Sequence, residues 1–313
     1  MARRLRFIPA GGALVEVTCR TIQGRFLLKP TDELNSIVLG VLGRAQRLYS
    51  VDIHAFVFLS NHYHLLLSVK DAHQLARFMN YLNSNLAREA GRIHNWRERF
   101  WGRRYQAIVV SEEDAAQIDR LHYLLSQGCK EGLVASPKDW PGVQCVKALS
   151  DGEPLKGLWF SRTLEYAARA RGESFDRLKY AIRENVRLVH LPCWCRLSKE
   201  DCQIRARELV TQIESETASR HMRERTNPLG VKAILAQRPP HRPSKVKRAG
   251  APAFHAASKA ARKELVDAYS WFVAAYREAA AKLRKGEHRD GFPEGSFPSR
   301  LPFVGRVPES APG

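Results

Sequence analysis

Two histidines separated by one residue are the side chains of this sequence best suited to chemistry. His62 and His64 lie within residues 59–67, an apolar, β-favouring run with the sequence LSNHYHLLL. Alternate side chains of a strand share a face, so the two imidazoles would project side by side. Such a pair can bind a divalent metal ion, and the site becomes catalytic with a third ligand and an open position. The alternative is a strand with two half-buried histidines on its solvated face, because short motifs often occur by chance.

A helix predicted over residues 113–127 offers both a third ligand and a nucleophile. Tyr123 and Gln127 are four residues apart, so they lie on one face of this helix, one turn from each other. If that face meets the histidine face, Gln127 can complete a metal site with His62 and His64. Tyr123 would then lie beside the metal ion.

This combination of side chains suits the cleavage of a phosphodiester. A divalent ion held by two imidazoles and an amide oxygen leaves positions open for phosphate oxygens, and it stabilises the charge that develops in the transition state. A tyrosine hydroxyl is a weak nucleophile at neutral pH, but a nearby cation and a fixed in-line geometry improve it. The product would be a phosphotyrosine ester, from which a second strand can be joined. Tyr105, at the start of a predicted strand, is the rival nucleophile.

The elements predicted around these residues form a mixed α+β domain over residues 1–150. Strands are predicted from alternation and β-branched content at residues 13–21, 51–59, 62–69 and 105–110. Helices are predicted after the start signals Thr31, Asp71 and residues 111–114. The order β-α-β-β-α-β-α predicts a ferredoxin-like split βαβ fold, an antiparallel sheet with one added helix.

The rest of the chain has a different character. Residues 151–237 are predicted to be a helical region, with one helix over residues 175–189 and another that opens at Ser198. No acidic residue lies between Glu224 and Glu264, while ten Lys and Arg do. We therefore predict a basic, Pro-rich linker over residues 238–255, an amphipathic helix over 256–285 and an irregular tail over 286–313.

The charge of the chain indicates a polyanionic partner. The 51 Lys and Arg against 32 Asp and Glu give a formal net charge of +19, and nucleic acid is the first candidate for such a basic protein. Candidate contacts to DNA lie before the fourth predicted strand and in the linker: Arg103, Arg104, Arg242, Lys245, Lys247 and Arg248. The alternative for these residues is a basic, solvated surface.

The sequence predicts neither a secretory signal nor a membrane span. The basic start is followed by an apolar run that Pro9, Gly11 and Gly12 interrupt. No apolar stretch approaches the roughly 18 residues that a membrane-spanning helix needs. Six scattered cysteines do not suggest a disulfide framework. The expected location is the cytoplasm, in association with the nucleoid and not with a membrane.

Three ordered motifs resemble those of the single-tyrosine HUH transposases, and most closely the REP-associated tyrosine transposases. Residues 60–66 (SNHYHLL) match the family's Pro-Asn-His-Val-His-Leu-Leu segment. Residues 100–105 (FWGRRY) resemble its Phe-x-x-Arg-Tyr segment. Residues 123–134 (YLLSQGCKEGLV) align without gaps on Tyr-Ile-His-Leu-Asn-Pro-Val-x-Ala-Gly-Leu-Val. The resemblance covers residues 5–145 approximately, and no known pattern covers the remainder.

The resemblance implies a transposase or endonuclease that cleaves and rejoins single-stranded DNA, often at hairpins, through a 5′-phosphotyrosine and with Mg²⁺ or Mn²⁺. It implies metal ligation by His62 and His64 and a nucleophilic Tyr123. Gln127 replaces the Asn usual in the REP-associated group but matches the Gln of related insertion-sequence transposases, so the ligand role is kept. Gly128 and Cys129 replace Pro-Val, which departs from the family pattern at the helix end. A homodimer, with the tyrosine acting in its own subunit or its partner, is compatible with the resemblance.

Two alternatives remain open from the sequence. The first is a host-adopted DNA-binding protein that keeps the fold without catalysis, which would not need the histidines, tyrosine and glutamine together. The second is a nickase with the same chemistry that resembles a replication initiator. The pattern after Tyr123 favours the transposase over both.

Overall fold

A five-stranded sheet carries the two histidines, in a computed structural model that describes residues 4–172, 176–244, 252–285 and 291–299. The strands are β1 (Ala13–Arg20), β2 (Asp52–Leu59), β3 (His62–Val69), β4 (Gln106–Val110), β5 (Leu155–Phe160), β6 (Ala181–Val186) and β7 (Phe254–His255). The α-helices are α1 (Asp32–Tyr49), α2 (Ala72–Ile93), α3 (Asp114–Leu125), α4 (Gln127–Lys130), α5 (Val146–Asp151), α6 (Arg162–Ala170), α7 (Lys199–Glu224), α8 (Val231–Leu235) and α9 (Lys259–Arg284).

The strand order of the main sheet is β2-β3-β1-β4-β7. The first four strands pair antiparallel, and the two-residue β7 adds in parallel to β4. The chain order β1-α1-β2-β3-α2-β4-α3 therefore confirms the predicted ferredoxin-like arrangement with an added helix. In the described residues, no helix is both long enough and apolar enough to cross a membrane.

The two sheet faces are covered by different helices. On β3, Tyr63 points away from the histidines, and its hydroxyl donates to Asn83 of α2 at 2.6 Å. On the other face, the ring of Tyr123 in α3 lies 5.9 Å from the ring of His64. Because alternate residues of a strand face opposite ways, this arrangement puts α2 behind the sheet and α3 over the histidines.

Local capping explains where the main helices begin. The Thr31 side chain accepts from the backbone N–H of Leu34 at the start of α1. The Asp71 carboxylate does the same for Gln74 at the start of α2. These residues are the preferred N-cap types, so their helix starts could be predicted from the sequence.

The start and end of α3 differ from the prediction. Glu113, at the N-cap, makes no side-chain bond to its own helix. It accepts instead from the Ser111 hydroxyl and from the backbone N–H groups of Ala257 and Ser258. The Ser111 bond is the largest of the effects that lower the pKa of Glu113 to about 2. This carboxylate therefore ties the start of α3 to the start of α9. At the other end, α3 stops at Leu125, and α4 begins at Gln127.

The predicted helix over residues 175–189 is wrong. Within the described part, residues 177–180 form a 3₁₀ turn, and β6 follows and pairs antiparallel with β5. The sequence pattern favours a helix here, but tertiary contacts decide the conformation of this segment. The hairpin lies on α1, where the nearly buried Glu184 of β6 pairs with Arg44 and Arg47. The region 151–237 is thus helical only in part.

The predicted linker over residues 238–255 is also corrected at both ends. Its first residues dock on the body, because the backbone N–H of Phe26 donates to the His241 carbonyl at 2.9 Å. Its last two residues form β7, which completes the main sheet. The predicted amphipathic helix is confirmed as α9, and the predicted cap Ser198 accepts from Asp201 at the start of α7.

Two glycines allow the β5–β6 hairpin to lie directly on α1. A Cβ atom placed on Gly40 would lie 2.2 Å from both the carbonyl carbon and the oxygen of Leu158. A Cβ on Gly157 would lie 2.1 Å from the Ser36 carbonyl oxygen. These neighbours are backbone atoms, so a side chain at either position requires the hairpin to move.

We expect Gly40→Ala to destabilise the protein. In an ordinary helix this change adds about 1 kcal/mol of stability, but here the clash should cost about 1–3 kcal/mol. Urea unfolding of the variant and the unmodified protein gives the change in the free energy of unfolding and its sign. Leu48→Ala, at an exposed position of the same helix, serves as the control and should shift stability by no more than about 0.5 kcal/mol. A gain in stability for Gly40→Ala would contradict the close contact.

Candidate active site

The register of the sheet places the two histidines on one face beside two residues of β1. His62 pairs with Arg20, and His64 pairs with Thr18. Residues directly opposite in an antiparallel pair share a face, so all four side chains project on the α3 side. The two imidazole rings are 5.1 Å apart between centroids. The predicted side-by-side projection of the histidines is present.

Each imidazole is oriented by a hydrogen bond at Nδ1. His64 Nδ1 lies 2.7 Å from Glu16 Oε1, and a carboxylate only accepts, so Nδ1 carries the proton. His62 Nδ1 lies 2.6 Å from Asn61 Oδ1. The Asn61 amide is itself fixed, because its nitrogen donates to the Gly24 carbonyl at 3.2 Å. In the uncharged form of each ring, Nε2 is then the atom with the lone pair that can bind a metal ion.

Burial favours the uncharged form of the first histidine. It lowers the pKa of His62 well below its usual range, and the nearby His64 and Arg20 act in the same direction. A neutral imidazole is the form that ligates metals. The donor set therefore fits a divalent cation, with His62 and His64 as two nitrogen ligands.

A buried carboxylate behind the histidines was not predicted from the sequence. Glu16 of β1 is 1% exposed and forms an ion pair with Arg120 of α3 as well as its bond to His64. Burial by itself would raise the pKa of Glu16, but the His64 hydrogen bond and the charges of His64 and Arg120 outweigh it, so the pKa is lowered. Glu16 thus joins β3, which carries the two histidines, to the helix that carries Tyr123.

Tyr123 lies in the last turn of α3, beside two cations. Its ring is 4.4 Å from the guanidinium carbon of Arg120 and 4.1 Å from Nζ of Lys130, measured to the ring centroid. Positive charge at this position can offset the charge of an incoming phosphate. The structure therefore brings His62, His64 and Tyr123 together, as the sequence predicted.

Gln127 lies one turn beyond Tyr123 and is buried, at 2% exposure. Its amide nitrogen donates to the Tyr123 carbonyl at 2.9 Å, so its amide oxygen is the atom left to act as a ligand. Within the described ranges, no three His, Cys, Asp or Glu side chains form a group that could hold a metal. Metal ligation by Gln127 stays a prediction.

Arg20 is a second site residue that the sequence did not reveal. A Cβ atom on Gly24 would lie 2.7 Å from the Arg20 guanidinium, and Gly24 adopts a φ of +71°. The positive φ favours glycine there, and its small size leaves room for the arginine. Arg20 Nε is buried and has no hydrogen-bond partner in the described structure. A cationic donor beside His62 suits a phosphate oxygen. Only the β1–β3 register, which is not local in sequence, identifies it.

The rival nucleophile Tyr105 is placed poorly for reaction. It is 9% exposed, and burial raises its pKa above the usual range. The guanidinium carbon of Arg6 lies 5.8 Å from its ring centroid. The two histidines, Arg120 and Lys130 lie around Tyr123 and not around Tyr105.

The predicted DNA contacts are distributed over two regions. Arg103 is exposed just before β4, and Arg104 donates to the Arg4 carbonyl at 3.0 Å. Arg242 is exposed at the docked start of the linker. Lys245, Lys247 and Arg248 lie outside the described residues. A DNA-binding role for all six stays a prediction.

Comparison with known proteins shows that part of the chain is similar to one family. Residues 24–126 match the family described as "Transposase IS200 like". This segment contains both histidines and Tyr123 and ends just before Gln127. The match confirms the predicted resemblance to the single-tyrosine transposases and supports a transposase role. No curated protein matches the sequence.

Two solved structures are similar to this chain at low identity. One is a REP-associated tyrosine transposase bound to a REP hairpin, with 17% identity, a TM-score of 0.39, and coverage of 46% of this chain and 82% of that one. The other is a proposed transposase from Deinococcus radiodurans R1, with 20% identity, a TM-score of 0.28, and coverage of 39% and 95%. Each similarity extends over less than half of this chain.

We expect the buried pair of Glu16 and Arg120 to be strongly coupled. Glu16→Gln leaves the Arg120 charge buried without its counter-ion, which should cost about 3–5 kcal/mol of stability. Removing both charges, with Glu16→Gln and Arg120→Met together, should cost less than the sum of the single changes. Urea unfolding of the four proteins gives the coupling energy. Glu112→Gln, at an exposed carboxylate near the same helix start, is the control. Additive effects would show that the pair does not join β1 to α3.

Proposed function

We propose that this protein is a metal-dependent transposase or endonuclease that cleaves and rejoins single-stranded DNA through a 5′-phosphotyrosine formed on Tyr123. One observation carries the proposal. The imidazoles of His62 and His64 are both oriented by hydrogen bonds, and the Tyr123 ring lies 5.9 Å from the His64 ring. The family match over residues 24–126 supports the same class of function independently.

The proposed metal ion is Mg²⁺ or Mn²⁺, held by Nε2 of His62 and His64 and by the amide oxygen of Gln127. When bound, it supplies positive charge that stabilises the phosphorane-like transition state. Asn61 and Glu16 act behind the ligands and hold the two rings in orientation.

In the proposed cleavage step, Tyr123 Oη attacks the phosphorus of the scissile phosphodiester. The bond from phosphorus to the 3′ oxygen breaks, and a bond from phosphorus to Oη forms. The phenolic proton passes to water, and water delivers one proton to the departing 3′ oxygen, which leaves as a hydroxyl. Arg20 holds a non-bridging phosphate oxygen, while Arg120 and Lys130 offset charge at the tyrosine.

Rejoining is the same step in reverse with another DNA end. A 3′ hydroxyl attacks the phosphotyrosine, the bond from phosphorus to Oη breaks, and the proton returns to Tyr123. The number of phosphoester bonds is unchanged, so no nucleotide cofactor is required.

The proposed substrate is single-stranded DNA with a hairpin near the cleavage site. The net charge of +19 suits a nucleic-acid partner. One of the similar structures is of a transposase bound to a REP hairpin, and we extend that substrate class to this chain as a proposal. A homodimer is part of the same proposal, with the tyrosine acting in its own subunit or its partner. We expect association with the nucleoid.

We expect a covalent protein–DNA adduct that depends on metal and on Tyr123. The protein is incubated with Mg²⁺ or Mn²⁺ and with single-stranded hairpin oligonucleotides from the DNA that flanks its own gene. A denaturing gel should resolve an adduct that Tyr123→Phe abolishes, because the attacking oxygen is gone. Tyr166→Phe, at an exposed tyrosine, should leave it unchanged.

The outcomes of this experiment separate the candidate functions. An adduct that survives in Tyr123→Phe and is lost in Tyr105→Phe would move the nucleophile. Tight binding without metal and without an adduct would favour the non-catalytic DNA-binding protein, provided that an active relative forms an adduct on its own flanking DNA. A stable nick without rejoining would favour the initiator-like nickase.

Arg20→Gln should slow adduct formation at saturating DNA by about 100-fold or more, as expected for removal of a donor that stabilises transition-state charge. Arg20→Lys should restore part of the rate, since it keeps the charge but not the paired donors. Arg88→Gln makes the same charge change at an exposed position of α2 and is the control. An Arg20→Gln rate equal to that of Arg88→Gln would remove Arg20 from the site.

A further inference from the structure

A cavity of about 290 Å³ lies between the start of the described chain, β4 and α9. Its walls combine arginines with aromatic rings, and none of the described residues that line it is acidic. The lining residues are Arg4, Leu5, Arg6, Arg104, Phe272, Tyr276, Ser296 and Phe297. Cavities near this volume are at the small end of those that bind small ligands. The size and the charge suit one anionic group with an attached ring.

The aromatic walls are held in place by contacts of their own. Tyr276 donates its hydroxyl proton to the Phe297 carbonyl at 3.1 Å. The ring of Phe272 packs on Phe7 at 5.2 Å between centroids. The Phe297 ring lies 4.3 Å from the ring of His73 in α2. The rings therefore form a prearranged wall, against which a flat base could pack at low cost in entropy.

The cationic wall is equally ordered. The guanidinium of Arg6 lies 4.6 Å from the centroid of the Phe297 ring. Its Nε is buried and has no hydrogen-bond partner among the described residues. Arg104 is oriented by its bond to the Arg4 carbonyl at 3.0 Å. Guanidinium groups beside aromatic rings are the combination that binds unpaired nucleotides, through phosphate contact and base stacking.

The cavity lies near the histidine end of the sheet. Arg104 is two residues before Gln106, which pairs with Thr18, and Thr18 pairs on its other side with His64. The Phe297 ring of the cavity contacts His73 of α2, so the cavity lies behind the sheet, at the end where the histidines lie in front. A single strand bound at the histidines would pass around this end of the sheet to reach the cavity.

We propose that this cavity binds one nucleotide of the single-stranded DNA substrate, with its base against Phe297 and Tyr276 and its phosphate on Arg6 and Arg104. The proposal rests on the proposed function for the identity of the ligand. It adds a second point of contact, built by α9 and residues 291–299, to a site otherwise formed by β1, β3 and α3.

Photo-crosslinking locates the nucleotide directly. An oligonucleotide from the flanking DNA, with 5-iodouracil at successive positions, is irradiated with the full-length protein, and mass spectrometry identifies the crosslinked peptides. We expect one nucleotide position to crosslink to Phe297 or Tyr276. Crosslinks confined to other parts of the protein would overturn the proposal.

Binding of the same DNA by variants tests the energetics. Arg6→Gln and Arg104→Gln should each weaken binding about five-fold or more, and each should reduce the slope of log affinity against log salt by about 0.7. Phe297→Leu keeps an apolar wall but removes stacking, so it should weaken binding by a similar factor without changing that slope. Arg88→Gln should match the unmodified protein. Arginine variants that bind like Arg88→Gln would overturn the phosphate contact.

The proposal and the proposed function fail in different experiments. A crosslink at Phe297 in Tyr123→Phe protein supports the cavity even if no covalent adduct ever forms. A Tyr123 adduct without any crosslink to the cavity supports the reaction and rejects the cavity as a DNA site.

Discussion

The candidate active site depends on a carboxylate buried in the middle of a sheet. An ionised side chain at 1% exposure is tolerated only when opposite charges and hydrogen bonds compensate its loss of hydration. Glu16 obtains its partners from two elements, His64 of β3 and Arg120 of α3. The helix must therefore pack on the histidine face, and Tyr123, three residues beyond Arg120, is carried to the imidazoles. The same interaction orients a ligand and positions the proposed nucleophile.

Much of this arrangement could be predicted because it is encoded locally. Alternation predicted the four strands, and the N-caps Thr31 and Asp71 predicted two helix starts. The histidine face followed from strand geometry alone. Glu16 and Arg20 could not be found in this way, since their roles arise only when β1 pairs with β3. A glutamate and an arginine at alternate positions of a strand ordinarily indicate a solvated face. Here α3 covers that face, and the sequence carries no local sign of it.

The errors in the second half have a common physical cause. The sequence pattern predicts a helix over residues 175–189. The conformation of the described part is decided by α1, which presents Gly40 to the hairpin backbone and two arginines to Glu184. Likewise, Glu113 belongs to the predicted helix start over residues 111–114, but its carboxylate binds the start of α9. In each case a contact between distant segments replaces a local preference. The chain after residue 150, called the extension below, is therefore part of the framework that supports α3.

The short strand β7 has a consequence for attempts to isolate the first 150 residues. Through Ala253 and β7, the extension supplies the outer partner of β4, where Val109 and Ser111 donate to the carbonyls of Ala253 and His255 at 3.1 and 2.9 Å. Without it, the outer edge of β4 would present unsatisfied backbone groups beside apolar side chains. Such an edge is a template for pairing between molecules. The two-residue strand covers this edge and so opposes self-association. A fragment of the first 150 residues would need another segment to cover the β4 edge if it is to remain monodisperse.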